Sequence, residues 1–241
     1  MNAVIVAATG GPEQLTFVER ELPLAKPGET VLRLSRIGVN FIDVYQRRGS
    51  YPVPAGAVLG FEAIGRASDG KRYAFIDHFG AYAEYVAVPN EKLFPIPDAV
   101  GDEAAMLLFQ GVTAQYLTAS VHPVQPGETV LVYAAAGGVG WLLMQVVRAR
   151  GGRPIGIASR EEKAQLLREN GFEALVGSGE DTALIRKLVP EGVDVVFDPN
   201  GADTWQLTLE STRRADTSCC SVPRADASHP SSPTFCSNAI P

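Results

Sequence analysis

The chain has 241 residues, with 21 Lys and Arg against 27 Asp and Glu and a formal net charge of −6. That length allows one to two domains with a sizeable core, and the acidic balance withholds the broad basic surface that a nucleic-acid partner needs. With 46% hydrophobic and 20% charged residues the composition is that of a folded globular protein. All three cysteines, Cys219, Cys220 and Cys236, fall near the end of the chain, so the body has no thiol for a disulfide or a thiolate metal site, and a cytoplasmic location is expected.

Met1 to Gly10 carries a short apolar run with no basic residue ahead of it, which reads as a first strand rather than a signal peptide. Up to about residue 100 short strands follow one another: Ala3 to Ala7, Leu15 to Glu19, Thr30 to Ile37, Ala63 to Ala67, Arg72 to Ile76 and Glu84 to Val88. Breaks stand at Gly10-Gly11, Lys26-Pro27-Gly28 and Asp69-Gly70. Asp69-Gly70 is the dipeptide of a type I′ hairpin turn, in which both central residues take φ > 0.

From Asp102 the period turns helical, with one helix predicted over Glu103 to Thr118. Strands at Val130 to Ala134, Ile155 to Ala158, Leu175-Val176 and Val193 to Asp198 then alternate with helices at Val139 to Arg150, Glu161 to Asn170, Thr182 to Val189 and Trp205 to Arg214. Four strands alternating with helices predict an α/β fold with a doubly wound parallel sheet. Val130 to Val147 is uncharged and nearly as long as the roughly 20 residues of a membrane span. Gly137, Gly138 and Gly140 divide it into a β-branched strand and a helix, so no membrane partner is expected. The last 27 residues hold six Ser, four Pro and all three Cys with few large apolar side chains, and a disordered tail is expected over 215–241.

Thr129 to Gly140 runs from a strand into glycines that open a helix, with Ala135, Gly137 and Gly140 at the spacing of G-x-G-x-x-G. In that pattern the middle glycine lets backbone approach a pyrophosphate, the helix N-terminus turns free N–H groups toward its charge, and the last glycine permits close packing. At the tip of the next strand a carboxylate would favour the free ribose hydroxyl of NAD. Ala158-Ser159-Arg160 stands there instead, with Lys163 one turn on, a set suited to the 2′-phosphate of NADP. The plainer alternative pairs Arg160 and Lys163 with Glu161 and Glu162 as ordinary solvated residues.

Asn40-Phe41-Ile42-Asp43-Val44-Tyr45-Gln46-Arg47-Arg48-Gly49-Ser50-Tyr51 resembles the N-F-x-D-x-Y-x-R-x-G-x-Y signature of quinone oxidoreductases, the zinc-free branch of the medium-chain dehydrogenase/reductase superfamily. Gly60 to Gly65 is similar to the family's G-x-E-x-x-G, Gly80 to Tyr85 to its G-A-Y-A-E-Y, Gln110 to Ala114 to its Q-G-x-T-A, and Ala134 to Gly140 to its A-A-A-G-G-V-G. The resemblance spans residues 1–214.

It implies a groES-like β-rich catalytic domain over 1–118 and a partial Rossmann domain over 119–214, with the substrate held between them, ahead of the tail at 215–241. It implies NADP(H) as cofactor, with Gln110, Thr113, Ala136, Gly137, Gly138, Val139, Gly140, Ser159, Arg160 and Lys163 binding it. Asn40 and Tyr45 are the implied catalytic pair, the Tyr45 hydroxyl stabilising charge on the oxygen of a small-molecule quinone. Zinc relatives carry Cys and His-Glu at the equivalent places. Gly38 to Asp43 holds no Cys and Phe61 precedes Glu62, so no metal is expected, and His78 and His122 read as surface or loop histidines. An enone or enoyl thioester is the alternative acceptor. The pattern leaves the family after Arg214, where further sheet strands should follow. The chain is therefore expected to be a C-terminally incomplete form, poorly stable and nearly inactive or reduced to nucleotide binding, without the homodimer usual for the intact family.

Overall fold

In the computed structural model, residues 1–177, 182–201 and 204–213 are described, together with the backbone of 218–221. They form two compact units that part between Phe109 and Gln110. The boundary expected after residue 118 falls within a helical stretch instead.

The first unit is β-rich. Strands β1 (Asn2–Val6), β2 (Leu15–Glu19), β3 (Glu29–Ile37), β4 (Ala57–Val58), β5 (Glu62–Arg66), β6 (Arg72–Ile76), β7 (Tyr85–Pro89) and β8 (Leu93–Pro95) build two antiparallel sheets, in orders β2-β1-β4 and β7-β3-β5-β6-β8. Alternation puts Leu32, Ala63, Phe75, Val86 and Val88 into one core. The β5–β6 hairpin differs from the type I′ expectation. Gly70 takes φ +83° but Asp69 does not take positive φ, and Gly70 N donates to Ala67 O at 3.0 Å. Ala67 N donates to Lys71 O, so the loop between them, Ser68 to Gly70, is one residue longer than the two-residue turn that Asp-Gly would close, and only the glycine needs the left-handed region. Helix α1 (Phe41–Arg48), absent from the sequence expectations, starts at Asn40 and stops at Gly49, φ +86°.

Helix α2 (Asp102–Ala105) belongs to the first unit, and helix α3 (Leu108–Tyr116) runs across the division into the second. The single helix expected over Glu103 to Thr118 is thus two helices followed by a π-helical stretch, Leu117–Val121. Thr118 Oγ1 donates to Ala114 O at 2.7 Å while His122 N reaches back to Leu117 O at 3.0 Å, so a side chain competes for a carbonyl and the ladder widens.

In the second unit β9 (Thr129–Val132), α4 (Gly138–Ala149), β10 (Arg153–Ala158), α5 (Glu161–Glu169), β11 (Glu173–Val176), α6 (Thr182–Leu188), β12 (Val195–Asp198), α7 (Trp205–Ser211) and β13 (Ser218–Ser221) follow in order. The parallel sheet runs β11-β10-β9-β12-β13. Counted from β9 this is 3-2-1-4-5, the doubly wound order. Val130 and Val132 pack with Leu143, Met144, Val147 and Leu167 on one face, while Leu131 and Tyr133 pack with Ile185, Val189 and Leu207 on the other. Strand β13 departs from the disordered tail expected from 215 onward. Its backbone pairs in parallel with β12, Ser218 opposite Val195 and Ser221 opposite Asp198, because a strand with one unpaired edge offers a row of N–H and C=O groups that backbone alone can satisfy. The remainder of the expected tail lies outside the described residues. No helix among those described is long and apolar enough to cross a membrane.

Candidate active site

In the first unit the polar residues converge on the start of α1. Asn40 lies just before it and is 6% exposed; its Nδ2 donates to Glu62 Oε2 at 3.0 Å. Asp43, at the third helical position, accepts the Asn40 backbone N–H on Oδ2 at 2.8 Å, the carboxylate half of a capping box. The same oxygen accepts the Tyr82 hydroxyl at 2.9 Å, and Oδ1 is buried without a partner among the described residues. Burial therefore pushes the Asp43 carboxyl above its ordinary range, against the pull of its hydrogen bonds. The Tyr82 hydroxyl is pushed up as well, first by burial and then by the neighbouring Asp43 charge. Glu62, 2% exposed, sits on β5 and accepts the Phe109 N–H on Oε1 at 3.0 Å.

Tyr45 is half-buried on α1, its ring edge-on to Phe41 at 5.1 Å and to Tyr51 at 5.7 Å between centroids. Phe61 stacks edge-on against Phe79 at 5.2 Å and Phe109 at 6.2 Å. Phe41, Tyr51 and Phe79 are each about half exposed, so the unit presents apolar aromatic surface beside a buried polar cluster. Such a pairing suits a flat, weakly polar ligand.

In the second unit the glycine turn leaves the C-terminal end of β9, beside the position where strand order reverses between β9 and β12. Ala134 takes φ +49°, and Gly137 N closes the turn on Ala134 O at 2.8 Å. A Cβ at Gly140 would stand 2.3 Å from Ala134 O and 2.8 Å from Ala135 Cα, so only glycine lets α4 approach the turn. Ala135, where the pattern has its first glycine, is fully buried, and a Cβ on Gly156 of β10 would lie 2.7 Å from its methyl. The alanine is tolerated because the strand beside it has no side chain there. Gly137 and Gly138 are exposed, Ala136 and Val139 are partly buried against the core, and no side chain among the described residues caps α4. The first N–H groups of a 12-residue helix are thus left for an anion. Gln110 lies over this end: a Cβ at Gly138 would meet its Oε1 at 2.4 Å. Thr113 is half-buried one turn further along α3.

Ser159 and Arg160 are exposed at the end of β10, Arg160 just before α5, with Lys163 partly buried in the first turn. Glu161 binds Arg168 at 2.6 Å instead of Arg160 or Lys163, and neither of those cations is in an ion pair among the described residues. The plainer reading of these two residues therefore loses its partner Glu161. His122 is held by Glu128 at 3.0 Å, and His78 Nε2 lies 2.9 Å from Ala87 O. Among the described residues no group of three or more His, Cys, Asp or Glu could hold a metal ion. Asp43, Glu62 and Tyr82 acquire their place only from the fold. Their signal in the sequence is that they stand at the D, E and Y of the motifs at Asn40 to Tyr51, Gly60 to Gly65 and Gly80 to Tyr85, which by themselves assign them no contact.

Residues 138–233 match the family model of zinc-binding dehydrogenases. The quinone oxidoreductase of Pseudomonas aeruginosa is 39% identical over 225 residues, which cover 85% of this chain and 68% of that protein. The 2-haloacrylate reductase of a Burkholderia species is 36% identical over 232 residues, 88% of this chain and 70% of that protein. Among solved structures, the Escherichia coli quinone oxidoreductase complexed with NADPH superposes with a TM-score of 0.83 at 31% identity, covering 89% of this chain and 71% of the other. A mycobacterial protein complexed with NADPH superposes with a TM-score of 0.82 at 38% identity, over the same 89% and 71%.

Proposed function

Since the chain belongs to the quinone oxidoreductase family of the medium-chain dehydrogenase/reductase superfamily, we propose that it is an NADPH-dependent oxidoreductase that reduces a quinone without zinc. The observation that carries this reading is the open glycine turn at the C-terminal end of the central strand of a 3-2-1-4-5 sheet, with an uncapped helix directly behind it.

The residues fit the cofactor. The backbone from Ala136 to Gly140 and the start of α4 would hold the pyrophosphate, Gln110 and Thr113 would border the nicotinamide, and Ser159, Arg160 and Lys163 would take the 2′-phosphate. When bound, NADPH supplies the hydride. The protein's part is placement and charge. The aromatic surface around Tyr45 holds the acceptor ring, the buried Asn40 offers a fixed amide, and the Tyr45 hydroxyl donates to the acceptor oxygen as negative charge gathers there. A zinc ion does not fit the first unit. The stretch Gly38 to Asp43 has one acid and no Cys or His, that acid is committed to Asn40 and Tyr82, and Phe61 stands beside Glu62.

The likeness to a 2-haloacrylate reductase favours a second acceptor class, an electron-poor C=C bond next to a carbonyl. Following NADPH oxidation with a series of 1,4-benzoquinones, 2-enals and enoyl thioesters separates the two. Quinones should give the highest kcat/KM, and Tyr45→Phe should lower it by about 10²-fold with NADPH affinity unchanged. Turnover of enals with none of quinones would replace this reading by the second, and equal kinetics of Tyr45→Phe would remove Tyr45 from the site.

A further inference from the structure

We infer that Glu62 is a positioning residue that sets the amide of Asn40 in one orientation, with its nitrogen on the Glu62 carboxylate and its oxygen turned away from it. The inference rests on the role proposed above for Asn40 and names the group that enforces it.

Glu62 is almost wholly buried and makes no ion pair among the described residues; two N–H donors hold its carboxylate, Asn40 Nδ2 on Oε2 and the backbone of Phe109 on Oε1, each at 3.0 Å. A buried charge balanced only by neutral donors is costly to keep. The backbone is cut to fit it. A Cβ at Gly38 would stand 2.2 Å from Oε2 and 2.9 Å from the carboxyl carbon, and Gly38 does not have the positive φ that would otherwise call for glycine. The glycine is there for space, and the space is filled by the carboxylate.

The donor and acceptor inventory gives this charge a purpose. A side-chain amide can turn over and exchange its oxygen for its nitrogen at little cost, but a carboxylate only accepts. Facing Glu62, Asn40 must present Nδ2, and its Oδ1 is turned to the donors on its other side, among them the Asp43 N–H of the capping box. Glutamine has the same shape and one fewer acceptor. In Glu62→Gln the fixed backbone N–H of Phe109 claims the single Oε1, the Gln Nε2 then meets Asn40, and the Asn40 amide must turn over to accept from it. The substitution leaves packing alone and inverts the polarity that Asn40 shows. Replacing Asn40 by Asp in that background restores a donor facing an acceptor, whereas Asn40→Asp beside an unaltered Glu62 sets two carboxylates face to face.

The test is a double-mutant cycle at positions 40 and 62, read as kcat, KM and NADPH affinity with the thermal midpoint as the folding control. Glu62→Gln should lower kcat about tenfold or more with the midpoint and NADPH affinity close to those of the unaltered chain. Adding Asn40→Asp should recover part of that loss, although Asn40→Asp alone is the poorest of the three. Unchanged kcat in Glu62→Gln, with a loss in Asn40→Leu, would overturn the inference and leave the proposed function standing. Unchanged kcat in Asn40→Leu would overturn the proposed role of Asn40 itself. The side-chain amide protons of Asn40, followed by NMR, read the same point without turnover. Exchange protection in the unaltered chain that Glu62→Gln abolishes supports the inference, and identical amide signals in the two proteins contradict it.

Discussion

Gly140→Ala puts the close approach of α4 to the glycine turn under direct test. The added methyl would lie 2.3 Å from Ala134 O, 2.8 Å from Ala135 Cα and 2.9 Å from Ala134 C, all backbone atoms in a turn closed by its own hydrogen bond. The nearest contact is about 1 Å short of ordinary van der Waals separation, so the helix start and the turn must move apart. Overpacking of this kind costs up to about 3 kcal/mol, and alanine in a helix returns at most about 1 kcal/mol. A net loss of about 2 kcal/mol lowers the thermal midpoint by roughly 4–8 °C in a chain of this size. Moving the turn also misaligns the N–H groups offered to the pyrophosphate, and loss of one charge-assisted hydrogen bond weakens NADPH binding about tenfold or more. The neighbouring glycines are the controls. At Gly138 the nearest atoms to the new methyl belong to the end of the Gln110 side chain rather than to backbone, and at Gly137 it meets Ala134 O at 3.1 Å. The expected order of destabilisation is Gly140→Ala, then Gly138→Ala, then Gly137→Ala, measured by thermal denaturation and by titration of nicotinamide fluorescence. Midpoints for all three within about 1 °C of the unaltered chain, or a reversed order, would refute the packing argument.

Cofactor choice should follow the end of β10: NADPH should bind at least about tenfold more tightly than NADH, and Arg160→Ala or Lys163→Ala should erase most of that preference while leaving NADH affinity alone, by the same fluorescence titration. Asp43 should leave a signature in stability against pH. Its carboxyl is raised above its ordinary value of 3.8 by burial, so the folded state holds the proton more tightly than the unfolded state, and stability from this group is fullest at low pH and falls as pH rises from 3.8 through the raised value. Asp43→Asn, which does not ionise, should therefore gain on the unaltered chain across that interval in urea unfolding, and a difference that stays flat with pH would contradict the burial. Arg153 holds both oxygens of Glu173 at 2.7 Å across neighbouring parallel strands, which lowers the Glu173 carboxyl. With the two side chains 44% and 42% exposed, Glu173→Gln should cost less than about 1 kcal/mol and the cost should vanish at high salt, as read by chemical denaturation.

Much of this protein is written in local pattern. Short runs of strand-forming residues between turn signals mark β2 and β6 to the residue, and the change to a helical period followed by alternating strands and helices marks a parallel sheet, because these signals are local to each segment. The glycine turn is legible for the same reason, since backbone approach and helix start lie within a dozen residues. Where neighbours distant in sequence decide, the letters alone fall short. Asp69-Gly70 looks like a type I′ turn until the pairing of β5 with β6 sets the loop length. Helix α1 is short and carries β-branched and charged residues, and a buried carboxylate at its start helps to hold it. Ser218 to Ser221 has a tail's composition and becomes a strand through the open edge of β12. The candidate site divides along the same line. Gly137, Gly140, Asn40 and Tyr45 stand in motifs that can be read from sequence, but the fit of Ala135 against Gly156, the place of Gln110 over Gly138, and the hold of Glu62 on Asn40 join residues on different elements. Period and composition describe how a segment meets an average environment. Only the tertiary structure states which atom the segment meets, and hydrogen-bond polarity and a missing Cβ matter at that resolution.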